Sequence, residues 1–303
     1  LAEQLAVDVI RLLTTAENTD ETAEHAGGYY TLDDLRQDRG PPDYAPSQRY
    51  EQAVSFEFPV NVGAPNAPLD SLVDEMTRLA PLRDHMRQAF SRAYGDPPPG
   101  RPANQLATLV NRREVPVAWI DIAIESGLII NYPGNAVYSP QFDTRKRPWY
   151  TMAKGKHGPV WGPPVPDDSG LGILVPCSVG LYDEAGTFLG VTSFANGLEF
   201  LVDQLHIKEI PPMKAGYLVE KQGNIVIWTG DEQTKVTTGL HGNRARRLIP
   251  FPDAVLIDAI KARQTSGTIE TGDDILVFIR LLSLRWYYVV RVDAEEFESW
   301  NPT

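Results

Sequence analysis

The run Asp143-Thr144-Arg145-Lys146-Arg147-Pro148-Trp149-Tyr150 holds the densest chemistry in this chain. An arginine presents a fixed fork of N–H donors that matches a carboxylate through two parallel hydrogen bonds, and a partly dry pocket strengthens the pair. Arg147 is the candidate for that role. Trp149 can donate one hydrogen bond and cover an apolar body with its ring. Upstream, Val117 to Ile124 reads as a strand with Trp119, Asp121 and Ala123 on one face and Ile120, Ile122 and Ile124 on the other. The isoleucines read as core, so Asp121 beside Trp119 is either solvated or in a pocket. Plainer readings stand next to these. Arg147 can serve a structural ion pair with Asp143 or Asp121, and Trp149 and Tyr150 can be core aromatics. Cys177 reads as a small buried apolar residue.

Catalysis finds little support. The histidines, His25, His85, His157, His206 and His241, stand far apart, without a metal-ligand spacing such as His-Glu-x-x-His. Asp167-Asp168 and Asp273-Asp274 fall in turn-like text and are expected in solvated loops. There is no Gly-x-Ser-x-Gly elbow and no phosphate-cradling glycine loop. With a single cysteine, neither an internal disulfide nor a thiolate zinc cluster can form. The expectation is a protein that is not an enzyme and uses no cofactor and no metal.

A formal charge of −12 argues against an electrostatic grip on nucleic acid, which needs a basic face. Anionic membranes repel such a chain on average, although Arg145-Lys146-Arg147 and Arg244-Ala245-Arg246-Arg247 are local basic patches. The 42% hydrophobic and 22% charged content suits a normal core. At 303 residues the chain reaches the size at which single cores stop growing, so two lobes are expected. No run of about 18 apolar residues is present.

The elements that must position these residues follow from periodicity and punctuation. Leu1 to about Glu17 draws one apolar stripe on a helix, suited to a stalk or to an ordinary amphipathic terminal helix. Residues 18–48 are turn-rich, with a short helix expected at Leu32 to Arg36. Val54 to Val60 reads as one strand entering the first sheet. Leu69 to Phe90 carries the clearest helical spacing, with Pro81 bending or splitting it. Leu128 to Tyr132 returns from the Ser126-Gly127 turn as a hairpin partner of Val117–Ile124. Asp143 to Lys154 reads as a loop entering a short helix. Gly172–Tyr182 and Thr187–Phe194 are strands about a turn, followed by a short helix at Leu198 to Leu205. The pattern then repeats in smaller form: strands at Ala215–Glu220 and Asn224–Trp228, a helix at Ala254–Ala262, and strands at Thr268–Glu270, Ile275–Leu282 and Trp286–Val292. Antiparallel sheets with helices packed against them make this α+β.

Ser126-Gly127, Tyr132-Pro133, the Asp143-x-Arg145-x-Arg147-Pro148-Trp149-Tyr150 run, Trp161 with Pro164, and Gly190-Val191 occur in the order of a known signature. In these motifs, over about residues 50 to 295, the chain resembles the double Cache family of extracytoplasmic sensor domains. The second half, with Gly216-Tyr217-Leu218-Val219 and Trp286-Tyr287, resembles the membrane-proximal module. The resemblance implies a long N-terminal helix followed by two PAS-like antiparallel-sheet lobes. The expected division is 1–48 stalk helix and connection, 49–210 membrane-distal ligand lobe and 211–303 membrane-proximal lobe. It also implies a periplasmic or extracellular location, membrane anchoring by flanking segments outside these residues, a chemotaxis or kinase receptor as the whole, and room for a homodimer through the N-terminal helix.

In the amino-acid-binding subset of that family, tyrosine and aspartate side chains hold the ligand's ammonium. Here the matching positions are Phe142, Pro164 and Ala195, with Asn196 beside the last. A buried ammonium without an anionic partner is costly, which favours a small organic acid over an amino acid. Asp121 could restore the missing charge. The expected ligand-binding residues are Arg147, Trp149, Trp119, Asp121, Phe142 and Asn196. The alternative is an interaction module whose pocket is vestigial, marked by side chains filling the distal lobe.

Overall fold

The computed structural model describes residues 1–14, 29–94, 102–112, 116–167, 173–197, 213–230, 249–281 and 285–299. The chain divides into two compact units, Leu1–Phe200 and Leu201–Thr303, each built on mainly antiparallel pairing with helices, as the α+β reading expects.

In the first unit the helices are α1 (Ala2–Thr14), α2 (Leu32–Arg36), α3 (Val73–Leu79), α4 (Leu82–Ala93), α5 (Ala103–Arg112) and α6 (Pro148–Thr151). Its strands are β1 (Tyr30–Thr31), β2 (Ala45–Ser47), β3 (Gln52–Ser55), β4 (Val60–Gly63), β5 (Val117–Ile124), β6 (Leu128–Tyr132), β7 (Gly134–Asn135), β8 (Pro159–Trp161), β9 (Val165–Pro166), β10 (Ile173–Tyr182) and β11 (Phe188–Gly197). The main sheet runs β1-β4-β6-β5-β11-β10-β8, with β9 also on β10. Only β1 and β4 pair in parallel among these.

The two faces of this sheet are dressed differently. Ile120, Ile122 and Ile124 of β5 join Leu128, Ile130 and Tyr132 of β6 in one core with Met76, Leu79, Leu82, Met86 and Phe90 of the helices. Leu5, Ala6 and Val9 of α1 are buried in the same core. Against the other face lie Leu32 and Leu35 of α2, over Val60, Val62 and Ile129, and the Tyr150–Ala153 turn, over Ala123 and Val191. Between those two patches the face is left to the segment after β7.

Local sequence explains most boundaries. Thr31 and Asp34 form a reciprocal capping box that starts α2. Helix α3 ends at Leu79 and α4 begins at Leu82, so Pro81 does split the predicted helix. Gly127 turns the β5–β6 hairpin at φ 105°, and a Cβ there would fall 2.7 Å from Ala67 Cβ.

The single strand expected at Val54–Val60 is instead two. Strand β3 joins β2 and β7 in a separate three-stranded sheet, and β4 joins the main one. Between them the Asp43 carboxylate accepts from the Phe56 and Glu57 amides, Ser55 Oγ accepts from Phe58 N–H, and Pro59 has no N–H to give to a ladder. Helix α5 went unforeseen, and the helix expected at Leu198 to Leu205 lies outside the described residues.

The second unit orders its strands β14-β13-β12-β17-β16-β15: β12 (Met213–Val219), β13 (Asn224–Gly230), β14 (Ile249–Pro250), β15 (Ser266–Thr271), β16 (Asp274–Leu281) and β17 (Trp286–Asp293). Helix α7 (Ala254–Lys261) lays Leu256, Ala259 and Ile260 on Tyr217, Val219, Phe278, Tyr287 and Val289. A short α8 (Ala294–Ser299) follows. No helix among the described residues is long and apolar enough to cross a membrane.

Candidate ligand site

The segment after β7 arches over the uncovered part of the main sheet and leaves a cavity of about 910 Å³. Strand register decides which side chains reach it. Asp121 stands opposite Ser193 of β11 and Asn131 of β6, and Trp119 stands opposite Ala195. All five line the cavity, with Leu174 and Pro176 of β10 beside them. From the covering segment come Tyr138, Phe142, Lys146, Arg147 and Trp149, and from the turn after β9 comes Asp167.

Five of the six expected residues therefore converge: Arg147, Trp149, Trp119, Asp121 and Phe142. Asn196 does not. A register shift between Ala195 and Asn196 ends the alternation, and the Asn196 amide donates to the Val175 and Phe194 carbonyls at 3.0 and 3.1 Å. It ties strands together.

The covering segment is held by its own charges. Arg145 donates to Asp143 through Nε at 2.9 Å and Nη2 at 3.1 Å, to the Glu125 carbonyl at 3.2 Å, and to Asn66 Oδ1. The Arg145 guanidinium holds the Asp143 carboxyl below its ordinary range, against the cost of burial. Asp143 is thus engaged by the arginine two residues on, and the Arg147 guanidinium lies 5.6 Å from the centre of the Phe142 ring. Tyr150 is core as the plainer reading has it, 1% exposed, its hydroxyl donating to Glu125 at 2.6 Å. Cys177 is also buried, which pushes its thiol up to about 11.

On the sheet side the polar groups form a directed chain. Val137 N–H donates to Asn135 Oδ1 at 3.1 Å, Asn135 Nδ2 to Asn131 Oδ1 at 2.7 Å, and Asn131 Nδ2 to Asp121 Oδ1 at 2.8 Å. Each amide's orientation is fixed by the next, so Asp121 receives a donor from a preset direction. Burial pushes the Asp121 carboxyl up to about 7, the Asn131 bond pulling against it and the charge of Asp167 adding to it. Asp167 in turn accepts from Trp119 Nε1 at 3.2 Å. The solvated loop expected for Asp167 is corrected: its chain lies along β10 through β9, which brings it to the cavity.

Asn131, Asn135, Tyr138 and Asp167 were not read from sequence as site residues. One signal was available for Asn131. It is the polar residue in the apolar run Leu128–Tyr132, and counting back from the Gly127 turn puts it opposite Asp121.

Solved structures similar to this chain include the ligand-binding domain of the Pseudomonas aeruginosa PAO1 amino acid chemoreceptor PctB in complex with L-Arg. The two are 16% identical, with 70% of this chain and 85% of that one covered and a TM-score of 0.44. Its structural neighbours are receptor domains. The Campylobacter jejuni chemoreceptor Tlp3 ligand-binding domain, in complex with L-norvaline, is 12% identical over 77% of this chain and 89% of its own, at a TM-score of 0.42. The extracellular domain mmHK1S-Z3, described as a histidine kinase's, is 17% identical over 78% and 93%, at 0.47. No family model matches the sequence, and no curated protein matches it.

Proposed function

We propose that this chain is the extracytoplasmic ligand-sensing region of a transmembrane receptor of the chemotaxis or kinase type, built as a double Cache domain. In this reading residues 49–210 are the membrane-distal ligand lobe, 211–303 the membrane-proximal lobe, and 1–48 the stalk helix and connection. The ligand is a small molecule with a carboxylate, which Arg147 receives and Trp149 covers. The observation that carries the reading is the cavity of about 910 Å³ on which Trp119, Asp121, Phe142, Arg147 and Trp149 converge. Open volume at that place supports a ligand pocket over a vestigial one filled by side chains.

Binding would draw the covering segment onto one face of a sheet whose other face carries α1, and a ligand that prefers the drawn-in state shifts the population toward it. The test is a thermal-shift screen with short mono- and dicarboxylates, with and without amino groups. At least one raises the melting temperature, and Arg147→Ala abolishes the rise. If none does so, the cavity is not the ligand site.

A further inference from the structure

The sheet of the second unit ends differently from the others. Strand β15 closes it on one side, and among the described residues no strand pairs with the outer edge of β15. The other end strands are short: β1, β7 and β14 have two residues and β2 and β8 three, with Pro46, Pro159 and Pro250 among them. Brevity and proline blunt an edge against further pairing. Strand β15 has six residues, no proline and no lysine, and its register on β16 runs without a bulge.

The ladder fixes which backbone groups are left over. Arg280 N–H donates to the Thr265 carbonyl at 2.7 Å, so these two form a hydrogen-bonded pair. Alternation along an antiparallel ladder then gives the bonds to β16 to Gly267, Ile269 and Thr271. Ser266, Thr268 and Glu270 turn their N–H and C=O groups outward, and all three are exposed.

Ile269 and Phe278 pack toward α7, so the side chains of Ser266, Thr268 and Glu270 stand on the opposite face. There Thr268 is opposite Val277 and then Val290, and Ser266 is opposite Ile279 and then Tyr288. Ser266 and Thr268 are small and leave a groove of about 530 Å³ along these apolar neighbours, with Ile279 53% exposed. Charge is split along the strand. Lys261, Arg263 and Arg280 stand at its start and Glu270 and Asp273 at its end, and among the described residues no ion pair engages them.

An open backbone edge, an apolar groove beside it and opposite charges at its ends define what fits. An extended segment running antiparallel to β15 takes the outward hydrogen bonds, while bulky side chains opposite Ser266 and Thr268 lean onto Ile279 and Val277. A basic residue then meets Glu270, and an acidic one meets Arg263. A second copy of β15 brings only Ser266, Thr268 and Glu270 to that face and leaves the groove open.

We propose that the β15 edge is a docking surface for an extended segment of another protein, bound antiparallel as an added strand. That segment carries bulky apolar residues at alternate positions, a basic residue toward Glu270 and an acidic one toward Arg263. The proposal lies outside the reading of the first unit's cavity and does not depend on it.

The experiment uses the end-blocked peptide Lys-Lys-Thr-Phe-Thr-Leu-Glu-Glu, which sets Phe opposite Thr268 and Leu opposite Ser266, titrated into the whole chain. Binding at roughly 10–100 μM is expected, as for a small transient contact. Thr268→Pro removes an outward N–H that β16 does not use, and Ile279→Lys places a charge in the groove. Each weakens the peptide about tenfold or more, with an unchanged circular dichroism spectrum verifying the fold. On the unaltered chain, N-methylation of the peptide's Phe and replacement of its Phe and Leu by Ser each do the same.

No binding up to about 1 mM overturns the proposal. So does binding that neither variant alters, or a serine-substituted peptide that binds as well as the original. Self-association of the chain in sedimentation, abolished by Thr268→Pro, gives the edge to a second copy and overturns the proposed occupant.

Discussion

At the start of β16 in the second unit, Asp274 is 5% exposed and meets Lys214 Nζ at 2.6 Å and the Arg291 guanidinium. On β5 in the first unit, Asp121 meets an amide. Both carboxylates sit in sheets and both pay desolvation. For Asp274 burial pushes upward but Lys214 and Arg291 outweigh it, and its carboxyl ends below the ordinary range. For Asp121 nothing of that strength opposes burial, and its carboxyl ends at about 7. Lys214 also reaches Asp293 at 2.7 Å, so the second unit closes its charges on one another. A sheet carboxylate with its own cation is part of the fold, whereas one left to a neutral donor above a cavity is available to a ligand.

Four substitutions sharpen or break this contrast. The largest effect is expected at Arg145→Ala, which strands the nearly buried Asp143 and frees the covering segment. A loss of about 2–3 kcal/mol in urea unfolding is expected, with weaker binding of any probe in the cavity. Next, Asp121→Asn should stabilise the empty protein by about 1–2 kcal/mol at pH 8, since it removes a desolvated charge while keeping the Asn131 bond. Its sign follows from linkage. Between about 4 and 7 the folded state holds a proton on Asp121 that the unfolded chain has released, so stability falls as pH rises through that window. The variant flattens this slope in a series of thermal melts.

Asp274→Asn should do the reverse, costing about 1 kcal/mol at neutral pH, a figure reduced because Lys214 and Arg291 are 40% and 47% exposed. Its folded carboxyl is depressed, so the wild type holds this stability above about 3.8 and loses it as pH falls further, and the variant lacks that acid loss. If both asparagine variants move stability in the same direction at pH 8, the contrast between the units is wrong. The smallest effect is Tyr150→Phe, which removes the 2.6 Å bond to Glu125 and should cost about 0.5–1 kcal/mol with ligand affinity at the cavity nearly unchanged.

Asp274 also marks where sequence reading fell short. Beside Asp273 it reads as a turn residue, yet it opens β16 paired with Asp293, and its cations come from β12 and β17. Those partners lie 60 and 17 residues away, and nothing in the local text announces them. Asn196 is a different case: it follows Ala195, whose side chain lines the cavity, and its own amide is engaged by the Val175 and Phe194 carbonyls.

What the sequence by itself determined is what depends on near neighbours: the two faces of β5, the Gly127 hairpin, the capped α2, the break at Pro81, and the grouping of Arg147 with Trp149. Period and turn chemistry act over a few residues and are written in residue types. The tertiary structure alone decided that Asp121 is deep yet open to a cavity, that Asn135 and Asn131 aim a donor at it, and that Asp167 stands beside it. Those facts are sums of desolvation and charge over groups up to 46 residues apart in the chain, from Asp121 to Asp167. Only their positions in space set that sum.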